Sequence, residues 1–177
     1  MAQEHDDKLE EVIVQSTGET RLVGNLVAST STERAKSTAV LLLHGFPSRD
    51  VMANQIGGDM VELCHRVSAE LGWHALSVRF RGCGSSTGEF SLAGWVDDAS
   101  AAMRFLQSET GATDLWVCGF GTGGSVGLVA AADNPAISGV AVAGSPADFD
   151  DWAERPDRLM RHAREVGAVK ALSLIHI

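Results

Sequence analysis

At 177 residues and 45% hydrophobic content, the chain is long enough for one domain with a substantial core and has the make-up of a globular protein. Its formal charge of −9, with Lys and Arg spread along the chain, argues against nucleic acid or a membrane as partner. Cys64, Cys83 and Cys118 are an odd number without a C-x-x-C pair, so neither a disulfide framework nor a metal site is expected, no cofactor is implied, and a cytoplasmic setting fits best.

The opening residues, Met1 to Glu11, are polar and acidic, unlike a signal peptide, and no apolar run approaches membrane-spanning length. Residues 172–177, Leu-Ser-Leu-Ile-His-Ile, resemble the translation of a sequencing-library adapter and are set aside. A single α/β domain over 1–171 is expected, incomplete at its C-terminus.

In chain order, Glu11 to Ser16 and Arg21 to Ala28 are β-rich and flank a turn at Thr17-Gly18-Glu19-Thr20, which predicts a hairpin. Ser29 to Ser37 is a polar connector. Thr38 to Leu43 is a continuous apolar run of strand length, as expected of a strand covered on both faces. From Ala53 to Leu71, Ile56, Met60, Leu63, Cys64, Val67 and Leu71 recur at helical spacing, although Gly57 and Gly58 blur the start, and Gly72 ends the segment.

His74 to Phe80 predicts the next strand, and Arg81 to Gly88 is a glycine-rich loop. A second helix places Leu92, Val96, Ala99, Met103 and Leu106 on its buried side, with Asp97, Asp98 and Ser100 off that face, and stops at Gly111. Leu115 to Gly119 predicts a short buried strand, followed by a glycine turn and a small-residue helix to about Asp133. Ile137 to Ala143 gives one more strand, and Ala147 to Gly167 carries amphipathic helical spacing that suits lid helices over 147–167. Strands alternating with helices imply an α/β fold: a mostly parallel sheet with helices on both faces, led in by an antiparallel hairpin.

Three motifs stand at the ends of the third, fourth and fifth strands: His44-Gly45-Phe46-Pro47, Arg81-Gly82-x-Gly84-x-Ser86 and Gly119-x-Gly121-x-Gly123-Gly124. In this order, over about Glu11 to Ser145, they resemble the front part of an α/β-hydrolase, with the strands after the sixth missing. The resemblance implies a nucleophile elbow centred on Gly121, where the family carries serine. It also implies an oxyanion hole formed by the N–H groups of Thr122 and Phe46, with Gly45 in the same loop.

Glycine at 121 has no atom that can attack a carbonyl, so no residue is assigned as catalytic. Thr122, Ser125 and Cys118 are weak substitutes, Cys83 is the most accessible thiol expected, and Asp148 is a candidate acid that could instead cap a helix. His44 resembles a structural residue beside the oxyanion loop, while His65 and His162 read as solvated. The family's usual acid and base follow later strands.

The leading expectation is a pseudo-hydrolase that binds a small acyl- or carbonyl-bearing ligand or a protein partner. The N-myc downstream-regulated proteins resemble it in keeping the fold without a working elbow serine. An active ester, thioester or peptide hydrolase with an unconventional nucleophile is the alternative. A dinucleotide-binding domain is a further one, since Gly119-x-Gly121-x-x-Gly124 also fits that fingerprint, but Ala143-Gly144-Ser145 lacks the acid expected at the next strand's tip. With later strands missing, the sixth would be an exposed edge open to self-association.

Overall fold

The computed structural model describes residues 8–30, 37–132 and 134–170; the first residues of the polar start, most of the polar connector and the adapter-like tail lie outside them. Within the described residues six strands form one sheet: β1 (Lys8–Gln15), β2 (Arg21–Ala28), β3 (Thr38–Leu43), β4 (His74–Val78), β5 (Asp114–Phe120) and β6 (Ile137–Ala143), ordered β1-β2-β4-β3-β5-β6. The β1–β2 hairpin is antiparallel, β2 joins β4 antiparallel, and β4, β3, β5 and β6 run parallel. This is the mostly parallel sheet with a leading hairpin that the alternation of elements implies.

Among the described residues five helices accompany it: α1 (Gly58–Leu71), α2 (Leu92–Thr110), α3 (Thr122–Ala132), α4 (Asp150–Glu154) and α5 (Pro156–Glu165). Strand β3, apolar from Ala39 to Leu43, is buried along its length, and the main core lies between the sheet and α2, α3 and the end of α5. A smaller core forms under α1, where Cys64 meets Val27, Val40, Leu42 and Ala75. Gly72 and Gly111 end α1 and α2 in left-handed conformation, their N–H groups closing on Ser68 and Gln107.

Several sequence expectations need correction. Helix α1 begins at Gly58 rather than Ala53, with Gly57 in left-handed conformation before it. Ile56 belongs to the main core and Cys64 to the smaller one, so their shared spacing joined two different packing environments. Leu71 is exposed. In β5, burial alternates: Leu115, Val117 and Gly119 face inward while Trp116 is at the surface, stacked on Trp73 at 6.1 Å. A side chain at Gly139, paired with Trp116, would run into its indole.

Asp98 departs most from its expected place, being fully buried. Its carboxylate accepts hydrogen bonds from the Arg81 backbone N–H (2.9 Å), Arg81 Nη2 (2.7 Å) and the Ser16 hydroxyl (2.5 Å). Trp95 Nε1–H donates to the Arg81 carbonyl, and Arg81 reaches Thr17 at 3.0 Å. One carboxylate therefore ties the hairpin turn, the loop after β4 and helix α2 together. The rest of the Arg81-Gly82-x-Gly84-x-Ser86 motif is structural in the same way. Gly82 and Gly84 take positive φ, and the Ser86 hydroxyl donates to the Arg79 carbonyl while accepting from the Val23 N–H.

Removing one partner of a buried, hydrogen-bonded ion pair leaves a desolvated charge uncompensated, at a cost of about 3–5 kcal/mol. Asp98→Ala is expected to lower unfolding stability by that order in urea denaturation. The double replacement Arg81→Met, Asp98→Leu is expected to lose less, because neither charge is then stranded.

Candidate functional site

The elbow forms where β5 runs into α3. Its backbone is pinned on both sides of the turn: Gly121 N–H donates to the Ala143 carbonyl on β6, and Gly124 N–H donates to the Gly121 carbonyl. Gly121 itself is left-handed, with φ +53°. Its neighbours require glycine for a different reason. A Cβ at Gly119 would stand 2.6 Å from Gly124 N, one at Gly123 would collide with the His44 carbonyl, and one at Gly124 with the Ser145 hydroxyl. Strand and helix can approach this closely only without side chains. At Gly121 the position is open, the nearest atom to a Cβ being Gly45 Cα at 3.6 Å.

The loop after β3 packs onto this turn. A Cβ at Gly45 would lie 3.1 Å from the Phe120 carbonyl, so glycine allows the contact. The structure thus brings Gly45 and Gly121 together, with Phe46 next in the loop and Thr122 opening α3. As the first residue of the helix, Thr122 has no carbonyl four residues back to receive its N–H.

His44 holds the loop from below. It is 2% exposed, and its Nε2 accepts the Phe80 N–H at 3.1 Å, which makes Nδ1 the protonated nitrogen, donating to the Gly45 carbonyl at 2.7 Å. Both ring nitrogens are committed to backbone. Burial, opposed by the Gly45 hydrogen bond and reinforced by the charge of Arg79, lowers its pKa to about 4. The ring packs edge-on against Phe80 and Trp95, and Trp95 lies 5.8 Å from Phe46.

The other candidates are engaged in other contacts or buried. Asp148 is exposed, and its carboxylate accepts the Asp150 N–H at 3.2 Å, an Asx-type turn just ahead of α4, whose N-cap is Phe149. The Ser125 hydroxyl donates to the Pro146 carbonyl. Cys83 is fully buried rather than accessible, because its loop folds inward beneath the chain after α5; burial raises its thiol to about 12 and that of Cys64 to about 11. Cys118 is partly buried, with its pKa also raised by burial. His162 packs its ring 5.8 Å from Phe46 instead of standing in solvent, and Trp152 lies 5.2 Å from the same ring.

The end of the chain shapes the surroundings. Helices α4 and α5 and Arg49 enclose a cleft of about 470 Å³, lined by Trp152 and Leu159 among charged residues. Sequence reading missed it by treating the basic residues as scattered, although Arg155, Arg158, Arg161 and Arg164 follow one another at three-residue steps. Among the described residues, no cluster of three or more His, Cys, Asp or Glu could hold a metal, and no helix is long and apolar enough to cross a membrane.

A sequence profile of the alpha/beta hydrolase family matches residues 40–175, which include all three motifs. The chain belongs to the alpha/beta hydrolase family. It is 30% identical over 92 residues to the lysophosphatidylserine lipase ABHD12 of Xenopus tropicalis, a match covering 51% of this chain and 22% of the lipase. Among solved structures it is similar to the Pyrococcus furiosus esterase Pf2001, with a TM-score of 0.66 and 20% identity over 94% of this chain and 64% of the esterase. It is also similar to an alpha-beta serine hydrolase homologue from Coxiella burnetii, with a TM-score of 0.65 and 18% identity over 89% of this chain and 82% of that one. The chain spans less than two thirds of the lipase and of the esterase, and at these identities the two structural likenesses establish the fold alone.

The His44 environment carries a pH signature. The folded pKa of about 4 lies below the unfolded value of about 6.5, so on acidification the unfolded chain takes up a proton that the folded one refuses. Stability is unaffected by this group above about pH 6.5 and falls as pH drops from there toward 4, by about 2–3 kcal/mol from this residue. Urea denaturation at pH 7 and pH 4.5 is expected to show that loss, and His44→Gln to lose that much less between the two.

Proposed function

We propose that this alpha/beta hydrolase domain is a pseudo-hydrolase: it binds an acyl- or carbonyl-bearing ligand at the elbow and does not turn it over by serine chemistry. The observation that carries this reading is Gly121, which keeps the left-handed elbow conformation beside Gly45 while having no reactive atom. The ligand's carbonyl oxygen would take the N–H groups of Thr122 and Phe46, dipoles preset by the helix start and the loop. The likeness to a lysophosphatidylserine lipase supports an acyl group as the ligand.

An active enzyme with another nucleophile remains the alternative within the same family. The buried thiols of Cys64 and Cys83, with raised pKa values, and the engaged Ser125 hydroxyl speak against it. The exposure of Asp148 and the bond its carboxylate accepts from the Asp150 N–H speak against a triad role for it.

Assay against short-chain p-nitrophenyl esters separates the two. The unaltered protein is expected to show no turnover above the Gly121→Ala control, and clear turnover by it would refute the pseudo-hydrolase reading. Gly121→Ser is expected to fold, since the position is open, at a cost of about 1–2 kcal/mol for a side chain in left-handed backbone.

The self-association expected of an unpaired sheet edge has support in β6, which pairs only with β5 among the described residues and carries exposed Val142. We propose that two copies meet there. Sedimentation velocity over a concentration series is expected to show a dimer that Val142→Lys disperses; a monomer throughout the series would refute it.

A further inference from the structure

We infer that the cleft between Arg49 and helices α4 and α5 is a binding subsite for the oxyanion group, phosphate or carboxylate, of an amphiphilic ligand whose apolar part lies along Trp152 toward Phe46. The inference rests on the acyl-binding reading of the elbow and adds the charge of what is bound. The cleft concentrates positive charge in a chain of net charge −9: its lining holds Arg49, Arg155, Arg158 and Arg161 against two carboxylates, Asp151 and Glu165. Glu165 is already taken, bonded by Arg49 at 2.9 Å. That bond, and after it the charges of Arg49, Arg161 and His162, hold its carboxyl below the usual range.

Arg155 and Arg158 have no ion-pair partner among the described residues. Guanidinium groups present planar forks of donors that match phosphate and carboxylate oxygens, so two unpaired ones facing a cleft of about 470 Å³ are suited to such a group. The apolar half of the argument is the ring contact that joins cleft to elbow. Trp152 lines the cleft and packs against Phe46 at 5.2 Å, and His162, also in the lining, packs against Phe46 from another side. A chain leaving the arginines along Trp152 therefore arrives at the loop that packs on Gly121.

Calorimetric titration of the full chain tests this with octyl phosphate, octyl glucoside and inorganic phosphate, each as free monomer, and with phosphatidylcholine vesicles with and without an anionic lipid. Octyl phosphate is expected to bind at least tenfold more tightly than either of the other two small probes, and more weakly as salt is raised. Arg155→Gln with Arg158→Gln is expected to reduce its affinity roughly tenfold; these exposed positions leave the fold intact, which circular dichroism checks.

Equal binding of octyl glucoside, or unchanged affinity in the double variant, would overturn the assignment. So would inorganic phosphate binding as tightly as octyl phosphate, or binding seen only with anionic vesicles, which would mark a membrane-facing patch. Failure of the elbow reading is separate: methyl octanoate carries no charge, and its binding is expected to vanish in Gly121→Leu while ignoring the arginine replacements. No binding of methyl octanoate by the unaltered protein, with octyl phosphate binding retained, would sink the acyl-binding reading alone.

Discussion

The buried carboxylate of Asp98 is the interaction on which most of this molecule's geometry depends. Its bonds to Arg81 and Ser16 fix the loop after β4 against the hairpin turn and α2. Through the Arg81 carbonyl the same arrangement orients the indole of Trp95, which is buried against Phe80, His44, Phe90 and Phe46. A charge in the interior is tolerated because every strong partner is supplied locally. It connects the N-terminal turn to helix α2 across 82 residues of sequence, and through Trp95 it reaches Phe46 in the loop that lies on the elbow.

The elbow follows another logic, steric rather than electrostatic. Gly119, Gly123 and Gly124 are demanded by atoms of the neighbouring backbone and of Ser145, whereas Gly121 is not. Its left-handed conformation is imposed by the bonds to Ala143 and from Gly124. The close glycine packing of the turn therefore surrounds a position that is itself sterically open. That combination is why the fold and the proposed chemistry point in different directions.

Much of the fold was readable because its signals are local. The apolar run of β3, the stops at Gly72 and Gly111, and the three motifs at strand ends each depend on a few adjacent residues, and together they indicated the family and the hairpin-led parallel sheet. The misplacements share a cause, which is that long-range neighbours decide burial. Asp98 looked solvated on its helix because the partner that makes burial tolerable, Arg81, is seventeen residues earlier. Cys83 looked accessible because nothing nearby announces that its loop turns inward. Trp116 sits at the surface because the face of β5 it occupies is covered only in part, by Trp73. The cleft was hidden for a simpler reason: the arginine steps along α5 are visible in sequence, but Arg49, which completes the lining, comes from a loop a hundred residues away.

The distribution of the four tryptophans has an optical consequence. Trp95 is sealed in the core, stacked on Phe80 at 4.4 Å; Trp73 and Trp116 form a stacked pair on the opposite side of the sheet; Trp152 stands in the cleft. Each occupies a different dielectric environment, so their emission maxima separate: blue-shifted for the sealed indole, red-shifted for the one in the cleft. The stacked pair, with ring centres 6.1 Å apart, is close enough for its transition dipoles to couple and leave an exciton couplet in circular dichroism. The molecule thus carries intrinsic reporters on its core, its open sheet face and its charged cleft, each readable without a label.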